Sequence, residues 1–315
     1  FTLIAVSVLF LLSLGYLNKN RNNQNVASKA VNGGGVIVNG LANQQITEKT
    51  IGCLESMKDT NGRYLYGRSC KGDSLTDCFD IPSNNSGPIP IWSRFQYYRA
   101  TKDFRELEAV RRDLEINTTK IPTLQNDFWN CRLMAELYES ADFSSLEKEQ
   151  IKKTCLTGVY NPRLLALAKT DLEDGVNTFP RSAFYASDFV GRYAISSKKE
   201  DLITAQSFYT MALNVYLDKN SSQIDQDACV LGIAAADLYK TTGQNGYFDF
   251  ARLLGEQLRT TEKLNSFETK TFCAYFADVL YKTTNDGVYR LAKESILNSL
   301  RTNFDVAGDG HVRGA

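Results

Sequence analysis

The sequence ADLYKTT at residues 236–242 decides the fold, because it returns as ADVLYKTT at residues 277–284. A short polar turn follows each copy, and a further tyrosine lies eight residues after the first, Tyr247 after Tyr239 and Tyr289 after Tyr281. Beyond each turn a second segment carries leucines at helical spacing. Recurrence at such a period is typical of repeat architectures, in which each copy is one supersecondary unit.

Three weaker copies lie earlier in the chain, at residues 95–103, 135–142 and 190–197, with tyrosines at positions 98, 138 and 193. Successive repeat tyrosines are therefore 40, 55, 46 and 42 residues apart. The first segment of a unit is apolar nearly all round, as in LGIAAA at residues 231–236, whereas Arg252, Glu256 and Arg259 give the second a polar face. We predict that each unit is a hairpin of one buried inner helix and one amphipathic outer helix.

A lone helix is predicted at residues 46–57, where apolar residues recur at steps of three to five. With five hairpins, the chain approaches the twelve helices of an (α/α)6 toroid. The motif A-x-L-Y-x-x-T-G at residues 236–243, followed by Tyr247 and a helix rich in alanine and leucine, resembles the hairpin unit of (α/α)6-barrel proteins. These are the six-hairpin glycosidase-like group, which includes sugar epimerase and polysaccharide lyase relatives. A tetratricopeptide array is disfavoured, because its period is about 34 residues.

The resemblance covers roughly residues 46–305 and implies an all-α toroid whose inner-helix N-termini meet at one open end, where the enzymes have their substrate cleft. Acids predicted at that end suit acid and base work on an acetal, and aromatic rings suit stacking on sugars. As the catalytic pair we predict Asp127 and Asp227, which hold matched places before Phe128 and Ala228. The predicted substrate-binding residues are Trp92, Trp129, Arg181, Tyr185, Asp225, Glu268 and Tyr275.

A structural interpretation of the same residues stays open. Helix N-termini select acidic residues such as Asp225 and Glu268, because carboxylates accept backbone N–H bonds and complement the helix dipole. The two tryptophans could pack in the core or at its rim. Capping is the more frequent role for any single acid.

Residues 1–17 carry no charge and are mostly apolar, which predicts a signal-peptide core or a membrane anchor. Residues 18–45 are rich in asparagine, glutamine, glycine and alanine and are predicted to be a disordered linker. The toroid domain is predicted at residues 46–315, and its loop-like tail suggests that the natural chain continues beyond Ala315. The start FTLI resembles a processed type IV pilin, although Ala5 replaces the usual glutamate.

Seven cysteines behind an export segment predict disulfides in an oxidising compartment. Buried, reduced cysteines are the alternative. Cys70 and Cys78 could clamp a loop predicted between about residues 59 and 88. Cys131 and Cys155 belong to the two helices of one hairpin, while Cys229 and Cys273 begin consecutive inner helices.

Several chemistries are disfavoured by composition. Lysine plus arginine and aspartate plus glutamate each total 36, so no net charge attracts nucleic acid. His311 is the sole histidine, and there is no Walker A motif and no CxxC pair. We therefore predict no metal, no cofactor and no histidine-based nucleophile.

These observations predict an extracytoplasmic protein, secreted or anchored at the cell surface, that acts on or binds a glycan as a hydrolase or lyase-like protein. The membrane would be a partner only through an uncleaved N-terminal segment. The alternatives are a non-enzymatic helical-repeat protein that binds a partner or builds the cell envelope, and a pilin-like subunit.

Overall fold

The computed structural model describes residues 67–70, 78–81, 88–119, 130–156, 179–218, 224–258, 264 and 266–301, and the single positions 52, 55, 58 and 62. Apart from the strands β1 (Gly67–Cys70) and β2 (Cys78–Ile81), these segments are mainly helical, as predicted. The helices are α1 (Pro88–Thr101), α2 (Phe104–Thr119), α3 (Asn130–Glu139), α4 (Ser145–Leu156), α5 (Phe179–Ser196), α6 (Lys199–Asp218), α7 (Gln226–Thr242), α8 (Asn245–Gln257), α9 (Phe267–Thr284) and α10 (Gly287–Arg301).

Within the described residues, no helix is both long and apolar enough to cross a membrane. The predicted signal or anchor segment at residues 1–17, the pilin-like start, the linker and the tail lie outside the described residues. Positions 52 and 55 of the predicted lone helix are helical. Glu55 pairs with Arg94 at 2.5 Å, and Lys58 pairs with Asp113 at 2.8 Å, so this segment is tied to the first hairpin.

The ten helices of the described part pair into five consecutive hairpins. In four of them, two residues join the helices, and the first of these adopts the left-handed conformation. Its N–H group donates to the carbonyl of the repeat tyrosine four residues earlier. The four bonds are Lys102 to Tyr98 at 2.7 Å, Ser197 to Tyr193 at 2.8 Å, Gly243 to Tyr239 at 2.8 Å and Asn285 to Tyr281 at 2.7 Å. The sequence repeat is thus a repeat of the helix C-cap.

Odd-numbered helices form an inner row and even-numbered helices cover it. Along the row, α1 contacts α3, α3 contacts α5, α5 contacts α7, and α7 contacts α9. In α7 every residue from 228 to 236 is buried, whereas α8 buries mainly one face, through Ala251, Leu254 and Gly255. The predicted contrast between an apolar inner helix and an amphipathic outer helix is therefore present in this hairpin.

Two predicted disulfides are formed. Cys131 and Cys155 join α3 to α4 with an S–S distance of 2.06 Å, and Cys229 and Cys273 join α7 to α9 with an S–S distance of 2.01 Å. The loop predicted around residues 59–88 contains the antiparallel strands β1 and β2, in a register that sets Cys70 opposite Cys78. A bond between those two cysteines stays a prediction, because their side chains lie outside the described residues.

Candidate functional site

Polar side chains from all five inner helices meet at one place, which we call the central network. It contains Trp92 and Gln96 of α1, Arg132 and Glu136 of α3, Ser187 of α5, Asp237 of α7 and Tyr275 of α9. Polar residues are unexpected in helices this apolar, since burying them without partners is unfavourable. Here each of them has a partner in the network.

The repeat accounts for the meeting point. Every network residue lies either six or two residues before the repeat tyrosine of its own helix. The first position holds Trp92, Arg132, Ser187, Ile233 and Tyr275, and the second holds Gln96, Glu136, Gly191, Asp237 and Val279. Residues four apart lie on one face of a helix. The inner helices therefore turn equivalent faces toward one another.

Glu136 is surrounded by donors. Its Oε2 accepts from the Trp92 indole nitrogen and from the Gln96 amide, both at 2.9 Å. Its Oε1 accepts from Arg132 Nη1 at 3.1 Å and from the Tyr275 hydroxyl at 3.3 Å. A carboxylate offers about four acceptor sites, so these four donors use its capacity.

Asp237 is held on the other side of the same guanidinium group. Arg132 Nε donates to Oδ2 at 2.9 Å and Nη2 donates to Oδ1 at 3.3 Å, which is a two-point ion pair. The Ser187 hydroxyl also donates to Oδ2. The guanidinium carbon of Arg132 lies 4.9 Å from the centre of the Tyr275 ring, and one cation thus links both carboxylates to an aromatic ring.

The charges of the network follow from this arrangement. Burial raises the pKa of Glu136, but Arg132, Lys282 and the Trp92 hydrogen bond outweigh burial, so the pKa lies below its ordinary value. Burial lowers the pKa of Arg132, but Asp237, Tyr275 and Glu136 raise it well above its ordinary value. Burial raises the pKa of Tyr275. At neutral pH Glu136 is therefore ionised, Arg132 is cationic and Tyr275 keeps its proton.

Part of the network reaches solvent. The side chains of Glu136, Asp237 and Arg132 are 25%, 14% and 9% exposed. Trp92, Gln96 and Tyr275 are buried. Among the described residues, Oε1 of Gln96 has no hydrogen-bond partner, and this acceptor is buried beside Glu136.

The structure brings two of the predicted site residues together. Trp92 and Tyr275 are in edge-to-face contact with their ring centres 6.1 Å apart, although they belong to the first and last inner helices. Tyr185 lies elsewhere in the core, with its ring 4.9 Å from that of Phe208. Most of the network lies along the inner helices, although Arg132 belongs to the first turn of α3, whereas the resemblance implied a site at the helix N-termini.

The remaining predicted residues lie near helix starts or outside the described part. Asp225 is the N-cap of α7 and accepts from the Ala228 N–H at 2.8 Å. Asp227 lies in the first turn of α7. Arg181 and Glu268 belong to α5 and α9, but their side chains are outside the described residues, as are Asp127 and Trp129 altogether. The catalytic pair of Asp127 and Asp227 therefore stays a prediction.

Four network residues that matter most were not among the predicted site residues. Gln96, Arg132, Glu136 and Asp237 could have been found by aligning the repeats on their tyrosines, since each is a long or charged polar residue at an inner-helix position that is otherwise apolar or small. The acidic residues predicted for the site lie at predicted helix N-termini instead, because acidic residues are frequent there as capping groups.

No protein-family model matches the chain, and no curated protein or solved structure shows significant similarity to it.

Proposed function

We propose that this protein is an exported helical-hairpin protein that binds a neutral carbohydrate at the central network. The observation that carries the proposal is the pairing of Glu136 and Asp237 on one guanidinium group, beside Trp92 and Tyr275 and with partial solvent access. Ordered carboxylates, an arginine and aromatic rings are the groups that orient a hydroxyl-rich ligand in a protein site.

The proposed setting of this site is an (α/α) toroid. Two observations support a curved, closing row of inner helices. Equivalent positions of all five inner helices contribute to the network, and Trp92 of α1 touches Tyr275 of α9. A straight row of five helices would separate α1 from α9 by roughly four interhelical spacings of 8–10 Å. The contact between Trp92 and Tyr275 therefore supports a row that bends back on itself.

The charge of the network favours a neutral ligand. Within the central network, Glu136 and Asp237 contribute two negative charges against the positive charge of Arg132. Lys282, which also acts on Glu136, is itself paired with Asp278. An anionic sugar would meet two carboxylates at close range, and the repulsion is strong where solvent screening is weak. A neutral hydroxyl group can donate to the less occupied Oδ1 of Asp237, whose side chain is 14% exposed.

Binding is a better match to this geometry than hydrolysis. A glycosidase needs one carboxyl group that keeps its proton and gives it to the leaving oxygen. The pKa of Glu136 is lowered by Arg132, Lys282 and Trp92 against the effect of burial, so Glu136 is ionised at neutral pH. Its four donors also leave no acceptor site free to take up a proton.

Two disulfides support the proposed location outside the cytoplasm, because reducing compartments rarely preserve such bonds. The uncharged segment at residues 1–17 is compatible with export, either as a cleaved signal or as an anchor. We propose a secreted or surface-tethered protein.

Isothermal titration calorimetry with neutral gluco-oligosaccharides and with oligogalacturonides of equal length tests the proposal. We expect saturable binding of the neutral series and none of the acidic series. Glu136→Gln should weaken binding at least tenfold, because an amide group cannot accept from all four donors. Glu139→Gln is the matched control, since Glu139 lies one turn further along α3 and is 53% exposed. Equal affinity in both variants would contradict the proposal.

A non-enzymatic helical-repeat protein of the cell envelope is the second candidate. It is favoured by the burial of Trp92 and Tyr275 and by the complete bonding of Glu136, which together describe a well-satisfied structural network. In that case Glu136→Gln would lower the melting temperature, while the wild-type protein would bind no oligosaccharide of either series.

A further inference from the structure

Asp188 lies directly beside the central network without belonging to it. It follows Ser187 on α5 and is completely buried. Its Oδ1 accepts from the backbone N–H of Cys131 at 2.7 Å and from that of Arg132 at 3.2 Å. Those two groups belong to the first turn of α3, where the backbone N–H groups have no partner within the helix.

The backbones of α5 and α3 approach closely at the same place. A methyl group on Gly191 would lie 2.4 Å from the Cα of Arg132 and 2.5 Å from its backbone nitrogen. Asp188 and Gly191 are three residues apart and share one face of α5. The carboxyl group of Asp188 therefore holds the N-terminus of α3 against α5, at a point where only a glycine at position 191 allows the two backbones to come so close.

We propose that Asp188 is the positioning residue of the central network, because it fixes the first turn of α3 and thereby sets the Arg132 guanidinium group between Glu136 and Asp237. Arg132 is the second residue after the start of α3, so a shift of that turn moves the guanidinium group directly. The consequence for ligand affinity rests on the proposed function, whereas the consequence for Arg132 does not.

The complete burial of Asp188 agrees with a positioning role rather than a catalytic one, because no substrate can reach it. Its Oδ2 has no hydrogen-bond partner among the described residues. Burial raises the pKa of Asp188 to about 7, even though the backbone N–H groups of Arg132 and Cys131 and the charge of Arg192 lower it. The carboxyl group thus lies at a position that disfavours its charge, which is typical of a group with a specific task.

Three variants separate positioning from a general contribution to stability. Asp188→Ala removes the acceptor, and Asp188→Asn keeps an oxygen that can accept both N–H bonds. Asp201→Ala is the matched control, because Asp201 is also buried and its bonds go to Arg192 at 3.2 Å and Ser196 at 2.7 Å rather than to the backbone of α3. All three are compared with the wild-type protein.

The ligand-independent readout is the hydrogen-exchange rate of the Arg132 Nε proton, followed by NMR on protein labelled with nitrogen-15. We expect exchange at least tenfold faster in Asp188→Ala, near the wild-type rate in Asp188→Asn, and unchanged in Asp201→Ala. Equal acceleration in Asp188→Ala and Asp201→Ala, or no acceleration in Asp188→Ala, would overturn the proposal.

Titration with neutral gluco-oligosaccharides adds the functional readout. Asp188→Ala should weaken affinity at least fivefold and Asp188→Asn should restore it. If the wild-type protein binds none of these ligands, the proposed function fails and the exchange rates alone decide the role of Asp188. If the wild-type protein binds them and Asp188→Ala binds equally well, the positioning role is contradicted while the proposed function stands.

Discussion

At the scale of the residue, Arg132 is the side chain on which the central network depends. Its guanidinium group bonds Glu136 and Asp237 and lies over the ring of Tyr275. Removing one partner from a largely desolvated ion pair is more destabilising than never having the pair, because a charge is left without compensation. Replacing Arg132 should therefore lower the free energy of unfolding by more than the size of its side chain suggests.

We expect Arg132→Met to lower the free energy of unfolding by about 2–4 kcal/mol, since it keeps the bulk of the side chain but leaves two carboxylates close together. Urea denaturation at pH 7 measures the change. Arg105→Met is the control, because Arg105 pairs with Asp103 while 90% exposed, and surface pairs contribute little. Similar values for the two variants would show that the network is solvated.

The second prediction at this scale concerns Asp188. The direction of its effect on stability follows from the pKa of its carboxyl group. Burial raises the folded-state pKa to about 7 from the ordinary 3.8. The protonated form is thus favoured by folding, and its contribution is complete below pH 3.8 and is lost as the pH rises to about 7.

The free energy of unfolding of the wild-type protein should therefore fall relative to Asp188→Asn between pH 4 and pH 8, by up to about 4 kcal/mol. Chemical denaturation of both proteins across that range measures the difference. A difference that is independent of pH would mean that Asp188 is ionised throughout.

At the scale of the element, the left-handed turn residue defines the hairpin. Lys102, Ser197, Gly243 and Asn285 hold the same place with φ values of 59°, 58°, 69° and 57°. Glycine adopts this conformation freely and asparagine tolerates it, whereas lysine and serine are strained. At Lys102 and Ser197 the left-handed turn is therefore imposed by the packing of the two helices of the hairpin.

We expect Lys102→Gly to raise the free energy of unfolding by about 0.5–1 kcal/mol, and Gly243→Ala to lower it by about 1 kcal/mol, because the changes relieve and create the same strain. Thermal denaturation followed by circular dichroism measures both. A loss of stability in Lys102→Gly would show that its contact with the Tyr98 ring, at 5.2 Å, outweighs the strain.

The disulfide between α7 and α9 is a second feature at this scale that stabilises the inner helices. It closes 44 residues, and chain-entropy arguments assign such a closure about 3–4 kcal/mol. The double variant Cys229→Ala, Cys273→Ala should lose about that much stability, measured by denaturation against the oxidised wild-type protein. An unchanged midpoint would mean that packing alone holds the inner helices together.

At the scale of the whole molecule, the sequence predicted the hairpins well but did not predict the central network. The repeat tyrosines mark the helix ends because their carbonyls bond the turn residues, and that signal is local. Trp92 and Tyr275 are in contact although 183 residues of chain separate them, and no local pattern encodes that contact. The partners of Glu136 come from two other helices of the row, α1 and α9, and from one turn earlier in its own helix, so only the assembled row reveals them.

Other features were missed for local reasons. Strands β1 and β2 are four residues each and contain no alternating apolar pattern strong enough to distinguish them from a loop. The capping role of Asp225, by contrast, follows from the sequence because helix N-termini favour aspartate, and its bond to the Ala228 N–H is the expected one.

In the whole molecule, the first and last inner helices meet at the central network, through the contact of Trp92 with Tyr275. A double-mutant cycle of Trp92→Phe and Tyr275→Phe tests it most directly, because both changes remove a donor to Glu136 while retaining a ring. The coupling free energy from urea denaturation should exceed about 0.5 kcal/mol. Losses that add within about 0.3 kcal/mol would contradict the contact and, with it, the convergence of the five inner helices.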